Sequence, residues 1–118
     1  MADQKLVLFL GGFLAFVAFC APLHAGIPGT NFIRGDANDD DLVNLADGIT
    51  ILNYLFGEEL VSCVNSADVT DDAQIDITDA IYLFSYQFLG GGPPPAPFPA
   101  CGPDQTDDPF ECLQSSCP

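Results

Sequence analysis

Residues 35–56, "GDANDDDLVNLADGITILNYLF", align with residues 67–88, "ADVTDDAQIDITDAIYLFSYQF", at an offset of 32 positions. In each copy an acidic stretch runs directly into an apolar one. Carboxylates crowded this closely repel one another, and the repeat shows that the crowding is a property of the repeating unit. The duplication therefore requires an explanation in which the negative charges serve a purpose.

Oxygen-bearing side chains recur in both copies at positions 1, 3, 5, 9 and 12 of a twelve-residue loop. An EF-hand-type loop surrounds calcium with this spacing, using a backbone carbonyl at position 7 and a carboxylate with two available oxygens at position 12. A divalent cation among these oxygens relieves their repulsion. We therefore predict two Ca²⁺ ions, one in loop 1 (residues 36–47) and one in loop 2 (residues 68–79). The predicted ligands are Asp36, Asn38, Asp40, Leu42, Asn44 and Asp47 in loop 1, and Asp68, Thr70, Asp72, Gln74, Asp76 and Asp79 in loop 2.

Both loops depart from the EF-hand pattern. Position 6, which normally holds glycine at a positive φ, holds Asp41 in loop 1 and Ala73 in loop 2, and Asp tolerates this conformation better than Ala. Position 12 is Asp instead of Glu, and Thr70 offers only a neutral hydroxyl at position 3. We expect loop 2 to bind more weakly. Solvated acidic turns are the alternative, but two copies in register favour metal sites.

Each loop is followed by apolar residues at three- and four-residue steps, which predict an amphipathic helix. The predicted apolar faces are Leu45, Ile49, Leu52, Leu55 and Phe56 in the first helix, and Ile77, Ile81, Phe84, Phe88 and Leu89 in the second. Glycines at 57 and 90–92 end the helices. We expect no helix before either loop, an antiparallel helix pair, and a short backbone bridge between Val43 and Ile75 at position 8. The predicted fold class is all-α.

The sequence resembles the dockerin-like modules of secreted bacterial proteins, most closely the planctomycete type. The resemblance rests on "FIRGDAN", "ADVTDD", "IDITDAIYLFSYQFLGGG", the proline run and "CGPD", and covers residues 32–117. It implies calcium-dependent folding and docking onto a cohesin-like partner. In the family, loop positions 10 and 11 contact the partner, which here are Leu45, Ala46, Ile77 and Thr78. Because dockerins usually accompany a larger domain, a structural subunit that binds copies of itself in an extracellular filament or coat is the alternative.

The chain divides into three segments. Residues 1–25 have an apolar run behind Lys5 and end in "CAPLHA", which predicts a secretory signal peptide cleaved after Ala25. A retained N-terminal anchor is the alternative, although the run is shorter than the ~20 residues that span a bilayer. Residues 26–92 form the duplicated domain and residues 93–118 a Pro-rich tail. We expect a secreted protein at the cell surface or in a matrix, with no membrane contact after the signal is removed.

Secretion predicts that Cys63, Cys101, Cys112 and Cys117 form two disulfides. The sequence leaves all three pairings open, and our preference is Cys63 with Cys101 and Cys112 with Cys117. Zinc is the rival, but the chain has no Cys-x-x-Cys pair and its one histidine lies in the signal segment. The tail "GGGPPPAPFPACGPDQTDDPFECLQSSCP" should be stiff and extended and lie back over the helices. A flexible linker is the other interpretation, although the phenylalanines of this segment offer apolar anchors.

Composition excludes several function classes. With 17 acidic against 2 basic residues and a net charge of −15, the chain lacks the basic face of a nucleic-acid-binding protein. Catalysis is not expected, because residues 26–118 contain no His or Lys, the serines lack a base, and the carboxylates are committed to metal. The tripeptide Arg34-Gly35-Asp36 spells an integrin-type motif, but its aspartate is the predicted first ligand of loop 1.

Overall fold

The computed structural model describes residues 30–118, so the predicted signal peptide lies outside the described residues. This part of the chain contains three helices, α1 (Leu45–Phe56), α2 (Val64–Ala67) and α3 (Ile77–Phe88), and no strand. The all-α prediction is confirmed for these residues. The single turn α2 corrects the expectation that no helix precedes loop 2. No helix among residues 30–118 is long and apolar enough to span a membrane.

The last four residues of each loop start the following helix. The side chain of Asn44 caps α1, and the carboxylate of Asp47 accepts a hydrogen bond from the backbone N–H of Asn44 at 2.8 Å. Asp76 and Asp79 form the same reciprocal pair at the start of α3, at 2.9 Å. These capping boxes satisfy N–H groups that have no partner within the helix. They fix where each helix begins and turn the position-12 carboxylate back toward its loop.

The two long helices pack against each other over a small core. Ile51 of α1 and Leu83 of α3, which are equivalent in the repeat, are both fully buried. Gly48 lies directly against the ring of Phe84, so a Cβ at this glycine would overlap that ring. Its equivalent in α3 is Ala80, which is also fully buried. A small residue at this position in both helices allows them to approach closely.

The predicted apolar faces are only partly buried. Leu52, Leu55 and Phe84 pack half-buried against the core, as predicted. The remaining residues are exposed, and we call their repeated members the outer stripes. In α1 these are Leu45 at 48%, Ile49 at 47% and Phe56 at 75% exposure, and in α3 Ile77 at 50%, Ile81 at 53% and Phe88 at 62%. Leu89, just after α3, is exposed as well.

The position-12 aspartates explain this difference. Asp47 and Asp79 are fully buried in the first turn of each helix, where they face their loops. Residues four positions further along a helix lie on the same face. Ile51 and Leu83 therefore become the core residues, although neither belongs to the faces predicted from hydrophobic spacing. The buried loop aspartates, and not hydrophobicity alone, set the rotation of both helices.

The predicted bridge at loop position 8 is wrong. Val43 and Ile75 pack half-buried against the core, but the isolated backbone bridges of residues 30–118 join Phe32 to Gly102 and Cys63 to Cys112. Both of these bridges join the tail to an earlier segment of the chain. Backbone pairing therefore involves the tail, whereas the sequence predicted it between the two loops.

The four cysteines form two disulfides, as predicted, but in a different pairing. Cys63 is bonded to Cys112, and Cys101 to Cys117. The preferred pairing is wrong because the tail folds back in the opposite direction along the segment before α2. This places Cys112 beside Cys63 in an antiparallel bridge.

The proline run lies against α3. Pro94 and Pro97 are buried, and the hydroxyl of Tyr82 donates to the carbonyl oxygen of Pro93 at 3.0 Å. The ring of Phe98 packs edge-on against Tyr86 with centroids 5.5 Å apart. With two disulfides and these contacts, residues 93–118 form part of the folded body, as the prediction of a tail laid over the helices required. The alternative of a flexible linker does not hold.

Candidate metal centre

Loop 1 brings three of its predicted ligands together. Asp36, Asp40 and Asp47 each offer a carboxylate oxygen, and these oxygens lie within 4.8 Å of one another. The backbone N–H groups of Asp40 and Asp41 donate to Asp36 at 3.1 and 3.0 Å. Asp47 accepts from the N–H of Asn38 at 3.2 Å as well as from the N-cap. The first and last carboxylates of the loop are therefore held in place by the backbone between them.

Loop 2 repeats this network residue by residue. Asp68, Asp72 and Asp79 offer oxygens within 4.8 Å of one another. Asp68 accepts from the N–H groups of Asp72 and Ala73 at 3.2 and 3.0 Å, and Asp79 accepts from the N–H of Thr70 at 3.0 Å. Each donor lies 32 positions after its counterpart in loop 1. The duplication seen in the sequence is thus a duplication of hydrogen-bond geometry.

The backbone takes a left-handed conformation twice in each loop. At position 6, φ is +68° for Asp41 and +64° for Ala73, so both residues adopt the conformation for which glycine is usual. At position 4, φ is +60° for Asp39 and +57° for Asp71, which the sequence analysis did not anticipate. Left-handed backbone costs an L-residue roughly 1–2 kcal/mol, and Asp bears this cost better than Ala.

The remaining predicted ligands are placed at the loops but make other contacts. Asn38 donates its amide to Asp40 at 3.3 Å, whereas the Thr70 hydroxyl donates to Asp79 at 3.1 Å. Asn44 and Asp76, at position 9, cap the helices, and this position of an EF-hand often reaches its ion through water. The N–H groups at position 7 donate to the position-5 carboxylates at 3.0 Å, from Leu42 and Gln74.

Burial perturbs the loop carboxylates. It raises the pKa of Asp47 and that of Asp68 to about 6, although the backbone N–H groups that donate to each act in the opposite direction. Burial also raises the pKa of Asp36 and the pKa of Asp79. Neighbouring aspartates of the same loop add to the increase in all four cases. Each loop therefore concentrates negative charge where water solvates it poorly.

Such a site accepts either protons or a cation. An ionised carboxylate has about four acceptor positions, and the backbone uses two of them at each position-1 aspartate. The free positions and the position-5 carboxylates are all hard oxygens, with no nitrogen or sulfur donor in either group. This donor set suits calcium or magnesium and not zinc. Both acidic groups could therefore hold a metal ion of this kind.

Arg34 is a structural residue that the sequence analysis missed. Its side chain is completely buried and ties three segments together. It donates to the carbonyl oxygens of Asp68 at 2.8 Å and Ala96 at 3.1 Å, and to the carboxylate of Asp104 at 3.2 Å. Asp36 is only 4% exposed, so the Arg-Gly-Asp tripeptide is not displayed at the surface. The sequence held one indication of this structural role, since Arg34 is the one basic residue of positions 26–118.

A third acidic group lies beside Arg34. Asp68, Asp71 and Asp108 also offer oxygens within 4.8 Å of one another. The guanidinium of Arg34 lies 3.4 Å from Asp71, so this group already has a cation. Burial acts to raise the pKa of Asp104, but hydrogen bonds and the charge of Arg34 outweigh it and lower that pKa, whereas burial raises the pKa of Asp108. This arrangement is an ion-pair network and a poorer candidate for a metal.

Comparisons with known proteins give no relative. No protein-family model matches this chain, and no curated protein or solved structure matches it at a significant level. The function must therefore be inferred from the two loops and the surfaces beside them.

Proposed function

We propose that this protein is a secreted calcium-binding module of the dockerin type, which docks onto a cohesin-like protein at the cell surface or in a matrix. The observation that carries this proposal is the pairing of each acidic loop with an outer stripe. Both stripes begin at position 10 of a loop, and their equivalent members have similar exposures. A repeated apolar surface next to a repeated cation site is the arrangement expected of a docking module whose surface depends on the metal.

Calcium would be held by the two sets of predicted ligands. The three clustered carboxylates of each loop supply the charge, and the position-3 side chains and position-7 carbonyl oxygens complete the sets. Two ions bring the net charge from −15 to −11 and remove the repulsion within each loop. Because Asp47 and Asp79 belong to both a loop and a helix, an ion that fixes the loop also fixes the start of the helix. Binding free energy thereby becomes folding free energy.

The docking surface consists of the outer stripes with the residues at loop positions 10 and 11. Leu45 and Ile77 are half exposed, and Ala46 and Thr78 are exposed, so all four predicted partner-contacting residues are accessible. Leu45 and Ile77 therefore lie outside the buried core, although both belong to the predicted apolar faces. Exposed apolar residues in a row on a helix are typical of a protein interface. The acidic surroundings favour a partner with an apolar groove and a basic rim.

The test is binding of the purified mature chain to immobilised cohesin domains, with saturating calcium and with chelator. We expect binding only with calcium, and its loss when Ile49 and Ile81 are both replaced by Asp. Leu113→Asp is the matched control, because Leu113 is 80% exposed but lies in the tail. Equal binding by the double variant would contradict the assigned surface. Size-exclusion chromatography separates the alternative, since a self-assembling coat subunit would form calcium-dependent oligomers that the double variant abolishes.

A further inference from the structure

We propose that the C-terminal tail presets both metal loops, with Ser116 and Thr106 as positioning residues that hold left-handed aspartates. Ser116 holds Asp39 and Asp41 in loop 1, and Thr106 holds Asp71 in loop 2. This inference rests on the calcium binding proposed above. Position 4 is not a ligand position in either loop. Both aspartates nevertheless have the same left-handed backbone, and a tail residue bonds each side chain.

In loop 1 the contact comes from the end of the tail. The N–H of Ser116 donates to the carboxylate of Asp39 at 2.7 Å, and the Ser116 hydroxyl donates to the carboxylate of Asp41. The two left-handed residues of the loop are thus held by one tail residue. The adjacent Cys117 is bonded to Cys101, which anchors this end of the tail.

In loop 2 the contact comes from the middle of the tail. The hydroxyl of Thr106 donates to the carboxylate of Asp71 at 2.7 Å, and the guanidinium of Arg34 lies 3.4 Å from the same carboxylate. The Thr106 hydroxyl also lies 3.0 Å from Asp104, which Arg34 contacts as well. Position 6 of this loop is Ala73, which has no polar side chain for the tail to hold. Among the hydrogen bonds of residues 30–118, the tail therefore holds loop 2 only at position 4.

These contacts act on calcium affinity through the shape of the empty loop. A left-handed non-glycine residue persists only where its surroundings hold it there. A loop already in the bound conformation loses less conformational freedom when the ion enters, and therefore binds more tightly. The sequence repeat could not indicate this, because the tail lies outside the repeat.

The experiment follows each loop separately in the full mature chain. The N–H groups of Asp41 and Ala73 each donate to a position-1 carboxylate at 3.0 Å, so their amide resonances report the occupancy of loop 1 and loop 2. The probe is calcium chloride, titrated into the ¹⁵N-labelled oxidised protein. The variants are Ser116→Ala and Thr106→Val, with Ser116→Thr and Thr106→Ser as conservative partners that keep the hydroxyl.

Ser116→Ala removes the hydroxyl contact to Asp41 and keeps the N–H bond to Asp39. We expect it to raise the half-saturating calcium concentration of loop 1 about three- to tenfold, the effect of one typical hydrogen bond, and that of loop 2 by less. Thr106→Val should show the reverse order, and both conservative variants should stay within about twofold of the original protein. Equal changes in both loops, or no change in either, would overturn the positioning role. If neither resonance of the unmodified protein responds to calcium, the proposed metal binding itself fails.

Discussion

Removing the Cys63–Cys112 disulfide should destabilise the protein more than removing Cys101–Cys117. The first bond closes a segment with a sequence separation of 49 residues and the second one of 16. The chain-entropy relation for cross-links gives about 4 kcal/mol for the longer loop and about 3 kcal/mol for the shorter one. Since a chain of this size has roughly 5–10 kcal/mol of total stability, the loss of either bond removes a large share.

The assay is urea unfolding of the two Cys-to-Ser double variants beside the oxidised protein, followed by circular dichroism in saturating calcium. Peptide mapping and free-thiol titration of the oxidised protein serve as controls for the pairing. If either double variant unfolded within about 1 kcal/mol of the original protein, the entropic reasoning would be refuted. Mapping that found Cys63 bonded to Cys101 would refute the connectivity itself.

Three further predictions concern the loops and the helix contact. At neutral pH and without calcium the helical circular dichroism signal should largely disappear, and Asp36→Ala should prevent folding at calcium concentrations where Asp68→Ala leaves partial structure; the opposite order would contradict the ranking of the loops. Because burial raises the pKa of Asp47 and that of Asp68 from 3.8 to about 6, the metal-free fold binds protons that the unfolded chain releases. Its free energy of unfolding in calcium-depleted buffer should therefore be greatest below about pH 4 and fall as the pH rises through about 6, and a flat profile would exclude this linkage. Gly48→Leu should cost about 1–3 kcal/mol by forcing apart the helices, whereas Ile49→Leu on the neighbouring outer stripe should leave the melting temperature unchanged.

The sequence predicts the parts of this fold that depend on local spacing. The two helices begin in the last residues of their loops and end before Gly57 and Gly90, because capping residues and glycines act within a few positions of the chain. The three clustered carboxylates of each loop follow from a fixed twelve-residue pattern in the same way. The positive φ at position 6 was likewise predictable, because it belongs to that pattern.

Features that depend on the path of the tail were not predictable. Hydrophobic spacing predicted that Ile49 and Ile81 face the core. Each helix has two apolar faces, and the burial of an aspartate decides which of them lies inward. A periodic pattern does not show that choice. The disulfide pairing depends on the direction in which the tail folds back. Contacts between residues far apart along the chain determine that direction. The contact from Ser116 to Asp39 spans 77 positions and has no local signal.

The burial of Arg34 has a consequence for proteolysis. A trypsin-like protease requires an accessible Lys or Arg, and residues 30–118 contain one such residue, whose side chain is completely buried beneath the tail. Residues 30–118 should therefore resist this class of protease while they are folded. Cleavage between Arg34 and Gly35 would occur only in molecules whose tail has opened. At high protease concentration, where cleavage outpaces reclosing, that single cut measures the opening rate, and at low concentration it measures the population of open molecules.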